Sequence, residues 1–316
     1  VSEAKRQDRD GPASAICAGV VAYVLWGLIP LYFKTVATVA PVEVLAHRAV
    51  WSFVVLVVVV CHLRRWREVC HDLCNPKLML MLIVSASMIS ATWLTFIYTV
   101  AKGEVLQASL GYFISPVINI LLGVAFLRER LRPFQVVAVG LATVGILVRA
   151  WLIGQMPWLA LLLAATTALH VLMRQITPVD GLTSLAFETL IMTPVAIFYL
   201  GYAAMNGELT GNAPELIGLL TLSGPVTTVP FLFFGIAVKV LRLSTMGIIQ
   251  YLMPTLQFLL AVALFHEPFS WPQLLSFVCV WTAIAIYTID SYRATRQSHP
   301  PSVEPSANQH RDYVAA

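Results

Sequence analysis

A chain of 316 residues that is 59% hydrophobic and only 11% charged, with a mean hydropathy of +0.80, lies far from soluble domains, in which about a quarter of residues are charged. So few charges could not cover the surface of a water-soluble fold. The composition excludes an ordinary soluble enzyme or binding module and points to a membrane protein with a net charge of +4.

The opening residues, VSEAKRQDRDGP, are polar and lack a signal-peptide pattern, so the first apolar helix is expected to act as an uncleaved insertion signal. A helix needs about 20 apolar residues to cross a hydrocarbon core of about 30 Å. Ten segments meet that requirement, at 15–35, 43–62, 78–99, 105–127, 133–151, 158–175, 183–203, 215–237, 243–265 and 271–290. Turn and charge signals separate them, including Pro41, Asn75-Pro76, Lys102-Gly103-Glu104, Gly154 to Pro157 and Asn206 to Pro214. Helices are expected because lipid offers no partners to an open sheet edge, and the alternation of a membrane β-barrel is absent. Residues 1–14 form an expected cytoplasmic segment, and 291–316 an expected disordered cytoplasmic tail rich in Pro, Ser, Gln and Asn.

Lysine and arginine placement predicts orientation. With the N-terminus inside, 16 of the 20 basic residues fall on the cytoplasmic side; only Lys34, Lys102 and Arg149 fall outside, and Arg48 lies within a span. That asymmetry predicts an N-in, C-in protein of a bacterial inner membrane.

A proline followed thirteen residues later by a glutamate at the end of an apolar run occurs twice, from Pro116 to Glu129 and from Pro254 to Glu267, at a common offset of 138. Arginines surround Glu129, as Arg128, Arg130 and Arg132, whereas His266, Pro268 and Phe269 surround Glu267. Five helices per half would put equivalent loops on opposite sides of the membrane, so the expected fold is all-α, with two inverted five-helix repeats at 15–151 and 158–290. Both glutamates read as hinge or capping elements, with the three arginines as partners of Glu129.

Five cysteines, Cys17, Cys61, Cys70, Cys74 and Cys279, with His62 and His71 nearby, invite a metal reading. Their spacing matches no recognised pair, and the odd count favours reduced thiols, so no metal and no cofactor are expected.

The string YVLWGLIPLYFK (Tyr23 to Lys34) is followed by Glu43, His47-Arg48 and Trp51-Ser52, then ASLGYFISPVIN (Ala108 to Asn119), Phe187-Glu188-Thr189 and LRLSTMGIIQYLMPT (Leu241 to Thr255). In these motifs, over residues 15–290, the chain resembles the RarD branch of the EamA domains in the drug/metabolite transporter superfamily. The resemblance implies an inner-membrane permease that exports small metabolites. The branch name comes from an association with chloramphenicol sensitivity, so amphenicol-type compounds stand beside amino-acid-like ones as candidate substrates.

Ionisable residues inside a bilayer usually face a cavity, because Arg or Asp at its centre costs about 2.5–3.5 kcal/mol on insertion scales. His47 and Arg48 lie about one turn into the second helix, and an offset of 140 aligns Arg48 with Glu188. Arg48 reads as the seat of a substrate carboxylate or similar anion, and Glu188 as the acceptor of an ammonium or a proton. An equally ordinary reading has Arg48 snorkelling to one interface and Glu188 lying near Arg174 at the other. His170 reads as a packed or cavity histidine.

Gly111, Ser115, Asn119 and Gly123 share one face of the fourth helix, and Gln250, Pro254 and Gln257 one face of the ninth. Asn119 and Gln250 are candidates for a cavity wall, or else amides that bond across packed helices. Trp26, Trp51, Trp93, Tyr112, Phe113 and Tyr251 are candidate stacking residues, set against the interfacial-anchor role common for aromatics. Pro116 and Pro254 interrupt the helical hydrogen-bond ladder and act either as pivots or as static bends.

No H-E-x-x-H, Walker A or paired acidic motif is present, so an enzyme is not expected. The expected activity is secondary transport by alternating access, passive or coupled to an ion gradient, with Glu188 or His47 as the proton carrier. A membrane-embedded lipid-modifying enzyme or a flippase for lipid-linked substrates is the alternative. Expected partners are a small molecule and the bilayer, with no nucleic acid, and a homodimer is compatible with the pattern.

Overall fold

A computed structural model describes residues 12–63, 75–127, 132–179, 181–211, 213–241 and 243–298. Seven long helices come first: α1 (Pro12–Thr35), α2 (Pro41–His62), α3 (Pro76–Ala101), α4 (Val105–Leu127), α5 (Pro133–Ile153), α6 (Trp158–Ile176) and α7 (Gly181–Asn206). The eighth pass is divided into α8 (Pro214–Thr221) and α9 (Ser223–Val240). The ninth comprises α10 (Leu243–Ile249), α11 (Leu252–Leu259) and a π turn (Leu260–Leu264), and α12 (Trp271–Ser298) is the tenth. Among the described residues nine helices are long and apolar enough to cross a membrane, and Leu252–Leu264 is a shorter apolar helix.

Local chemistry accounts for the helix ends. Proline stands at the start of α2, α3, α5 and α8, where its missing N–H has no helical partner to lose. Asn75 caps α3 by accepting hydrogen bonds from the Lys77 and Leu78 amides at 3.1 and 3.2 Å. Gly154, at φ +74°, ends α5 in the left-handed conformation that glycine adopts without strain.

The packing partners obey an exchange rule. Here α1 packs on α9 as α3 packs on α6, and α4 packs on α6 as α11 packs on α1. The pairs α2 with α7, α4 with α11, and α5 with α12 map onto themselves. Each of these relations is preserved when a pass is exchanged for the pass five places away. The largest apolar core joins the two sets of helices through Phe33, Phe113, Phe277 and Ala160.

Consecutive helices joined by short turns alternate in direction, so the bundle has two ends. One, the terminus end, carries the start of α1, the start of α5 and Asp290. The far end carries Thr35, Pro41, Val105, Trp158 and the π turn.

Candidate functional site

A cavity of about 450 Å³ lies among α1, α2, α3, α4, α6, α9 and the broken ninth pass, and none of its described lining comes from α5, α7 or α12. Its lining extends from Arg48, near the far end, to half-buried Arg174 and exposed Gln175 at the terminus end of α6. The volume falls in the range of small-molecule sites, about 300–1,000 Å³.

Arg48 is 4% exposed. Its guanidinium lies 3.9 Å from the centroid of the Trp93 ring and 5.4 Å from that of Phe33, and its Nε has no hydrogen-bond partner. Among the described residues no aspartate or glutamate lines the cavity. Stacking on aromatic faces offsets roughly 2 kcal/mol of the cost of burying the cation, less than the penalty for an isolated charge. Glu43, a turn earlier on α2, is committed elsewhere: its carboxylate accepts hydrogen bonds from the Thr210 amide (2.9 Å), the Thr210 hydroxyl (2.7 Å) and the Gly211 amide (2.9 Å).

Glu188 is fully buried on α7 and does not line the cavity. Its Oε1 accepts hydrogen bonds from Ser85 (2.6 Å) on α3 and Ser184 (3.2 Å), and lies 3.0 Å from His170 Nε2 on α6. With the carboxylate ionised, Nε2 carries the hydrogen. The other oxygen, Oε2, is buried without a partner. His170 lines the cavity, so the carboxylate communicates with it through one imidazole. The expected neighbour, Arg174, lies one helical turn from His170 and also lines the cavity.

The other residues singled out in the sequence divide cleanly. Trp26, Tyr112, Asn119, Gln250, Tyr251, Pro116 and Pro254 all line the cavity, as does Trp93. His47 is half-buried on α2 and outside the lining, Phe113 is buried in the core, and Trp51 packs its backbone against Gly224. Sequence reasoning passed over Thr92, Arg174, Phe231 and Phe234 as wall residues. The spacing of His170 and Arg174, four apart on one apolar helix, was the available signal for the α6 wall. Arg132, expected beside Glu129, pairs with Asp290: Nη1 lies 3.1 Å from Oδ2 and donates to the Asp290 carbonyl at 3.3 Å. Glu129, Arg128, Arg130, Cys70, His71 and Cys74 lie outside the described residues.

Aromatic packing shapes one wall. Trp26 meets Tyr23, Phe231 and Phe234 with ring centroids 5.3, 4.9 and 5.6 Å away. Opposite it, the ninth pass is interrupted at Gln250 and Tyr251, one turn before Pro254. The Pro254 carbonyl accepts a hydrogen bond from Ser109 Oγ on α4 at 2.8 Å, and Gln257 Nε2 donates to the Trp26 carbonyl at 3.4 Å. Gly27 permits this closeness, since a Cβ there would stand 2.8 Å from Leu256.

At the far end two carboxylates bridge the bundle. Glu43 on α2 holds the segment leading to α8, as described above. Glu267, after the π turn, accepts the Val105 and Leu106 amides at 2.6 and 2.8 Å, satisfying the start of α4. Burial raises the Glu267 carboxyl above its ordinary range, against the pull of these amides and of Lys34.

Comparison with known proteins accords with this architecture. The EamA-like transporter family matches the chain twice, over residues 13–151 and 156–289. The chain therefore belongs to the EamA-like transporter family and is a multi-pass membrane transporter of small molecules. It is 40% identical over 295 residues to "Protein RarD" of Escherichia coli, covering 93% of this chain and 98% of that one. It is also 39% identical over 289 residues to an "Uncharacterized transporter" of Vibrio cholerae, covering 91% and 96%. "Chloramphenicol-sensitive protein RarD" of Pseudomonas aeruginosa is 30% identical over 286 residues, covering 89% and 96%. A solved crystal structure superposes with a TM-score of 0.57 at 19% identity, over 89% of this chain and 99% of its own, a likeness of fold alone.

Proposed function

We propose that this protein is a secondary exporter of small acidic metabolites in a bacterial inner membrane, working by alternating access between two inverted repeats of 15–151 and 158–290. The observation that carries the reading is Arg48: a buried guanidinium at the inner end of a cavity between the halves, stacked on Trp93 and without a carboxylate partner. A substrate acid group supplies the missing charge. The exchange of packing partners between passes five apart supports the repeat assignment. The excess of basic residues at one end supports termini in the cytoplasm.

On this orientation the cavity is exposed toward the cytoplasm and the far end is shut. Glu188 is assigned to a proton rather than a substrate ammonium, because it is fully buried and reaches the cavity only through His170. Proton movement through that pair would couple substrate export to a pH gradient.

Release of a radiolabelled panel from proteoliposomes, with and without a pH gradient, tests the reading. Selective release that Arg48→Ala abolishes and a pH gradient accelerates is expected. Equal release from both proteins, or none above empty liposomes, would overturn it.

A further inference from the structure

We infer that the cavity selects aromatic monocarboxylates that carry no amino group, and discriminates against the corresponding zwitterions. This rests on the assignment of Arg48 as the acid-group seat and narrows its substrate class.

The charge count comes first. Among the described residues, Arg48 and Arg174 are the cavity's lining guanidinium groups, and none that line it is acidic. Glu188, hydrogen-bonded to His170, provides one negative charge behind the α6 wall, where Arg174 lies one helical turn from His170. Arg174 is only half-buried, so the deeply buried positive charge without a carboxylate partner is that of Arg48. A monoanion neutralises it, whereas a dianion leaves one negative charge over.

An amino group would fare badly. The uncharged polar groups that the described residues bring to the cavity are the Asn119 amide and hydroxyls such as Thr92, beside aromatic faces. The negative charge of Glu188 is 0% exposed and engaged by three donors. An ammonium entering beside the substrate carboxylate would shed its hydration without meeting a counter-charge and would be repelled by Arg48 and Arg174.

The body of the substrate follows from the walls. The edge-on cluster of Trp26, Tyr23, Phe231 and Phe234 presents a broad aromatic surface in the same cavity as Arg48. Offset or edge-on contacts with a flat ring add about 0.5–1.5 kcal/mol each beyond area burial, so a ring is favoured over a short aliphatic chain.

The test is calorimetric titration of the purified full-length protein in detergent near neutral pH with four probes: 3-phenylpropionate, L-phenylalanine, 3-phenylpropanamide and propionate. Saturable binding of 3-phenylpropionate is expected, with each of the others weaker by about tenfold or more. Arg48→Gln should lose 3-phenylpropionate binding, while Lys239→Ala, a charge change outside the cavity, should keep it. Phenylalanine binding as tightly as 3-phenylpropionate, with both lost in Arg48→Gln, would overturn the discrimination and leave the carrier reading standing. The amide binding as tightly as the acid, or no probe binding to monodisperse wild-type protein, would overturn both. The comparison among probes is made on the wild type, so a variant that fails to fold does not remove the test.

Discussion

Pro116 and Pro254 hold the same place in two duplicated helices, yet α4 runs unbroken through Pro116 while the helix before Pro254 is interrupted at Gln250 and Tyr251. The preceding residues explain the difference. The segment 243–249 in the second half is LSTMGII, where serine, threonine, glycine and β-branched isoleucines hold a helix weakly; its counterpart 105–111 is VLQASLG, in which Leu, Gln, Ala and Leu are good helix formers. A pivot is therefore expected in the second half only. Pro254→Ala should slow transport several-fold with little change in binding, and Pro116→Ala should leave the rate near wild type. Single-turnover efflux and equilibrium binding, measured on both variants, separate the two effects; equal slowing would place pivots in both halves.

The His170–Glu188 pair predicts a division between stability and coupling. Removing one partner of a buried pair costs about 3–5 kcal/mol, so Glu188→Ala should lower the melting temperature markedly. Glu188→Gln keeps a hydrogen-bonding side chain of the same shape and should fold, but should no longer respond to a pH gradient. Thermal unfolding with gradient-driven efflux on the same preparations checks this, and an unchanged gradient response would remove Glu188 from proton transfer.

Arg48→Lys retains a positive charge without retaining the site. A lysine ammonium is a point charge that lacks the planar fork and stacks poorly on Trp93. At least a tenfold loss of affinity for acidic substrates is expected even though charge is conserved, as measured by equilibrium binding. Full activity of Arg48→Lys would show that the field alone suffices.

The closed far end should open when its carboxylates are removed. Hydrogen bonds to charged groups contribute about 1.5–3 kcal/mol each, enough to shift an equilibrium between two openings by tenfold or more. In a cysteine-free background, Ile29→Cys in the cavity wall reports access to an impermeant maleimide. Adding Glu43→Ala and Glu267→Ala should raise labelling from the far side in sealed vesicles of known orientation. Unchanged labelling would mean that apolar packing alone shuts that end.

Two glycines mark where helices touch. A Cβ on Gly111 would stand 2.7 Å from the Ala160 carbonyl oxygen, and one on Gly224 would stand 2.5 Å from that of Trp51. Alanine at either position should destabilise by about 1–3 kcal/mol through forced backbone shifts. Gly140, with nothing within 4 Å of a built Cβ, is the control, and thermal melts of the three variants are the measurement.

Much of the architecture was legible because lipid permits so few solutions. Apolar length with turn and charge signals located the nine helices long enough to span among the described residues, the remaining expected segment holding the shorter apolar helix Leu252–Leu264, and α4 matched its expected bounds at both ends. The break in the ninth pass was foreshadowed by Pro254, but the sequence did not show that Pro116 would leave its helix intact, because that depends on the sum of propensities over a turn and on packing. Arg48, Trp26, Tyr112, Asn119, Gln250 and Tyr251 could be proposed as wall residues since polar or amphipathic groups in an apolar helix need a reason to be there. His47 shows the limit of that argument: adjacent residues on a helix point about 100° apart, so the neighbour of a cavity residue faces elsewhere. Arg132 shows another, because sequence proximity to Glu129 said nothing of Asp290, which folding brings to the start of α5.

The far-end carboxylates grip main-chain amides, with one threonine hydroxyl besides. An amide is supplied by any residue except proline, so mutation at Val105 or Leu106 can alter the side chain without removing what Glu267 holds. The contact itself asks the acid to remain an acid and asks of Val105 and Leu106 only that they not be proline, leaving their buried side chains to be set by packing.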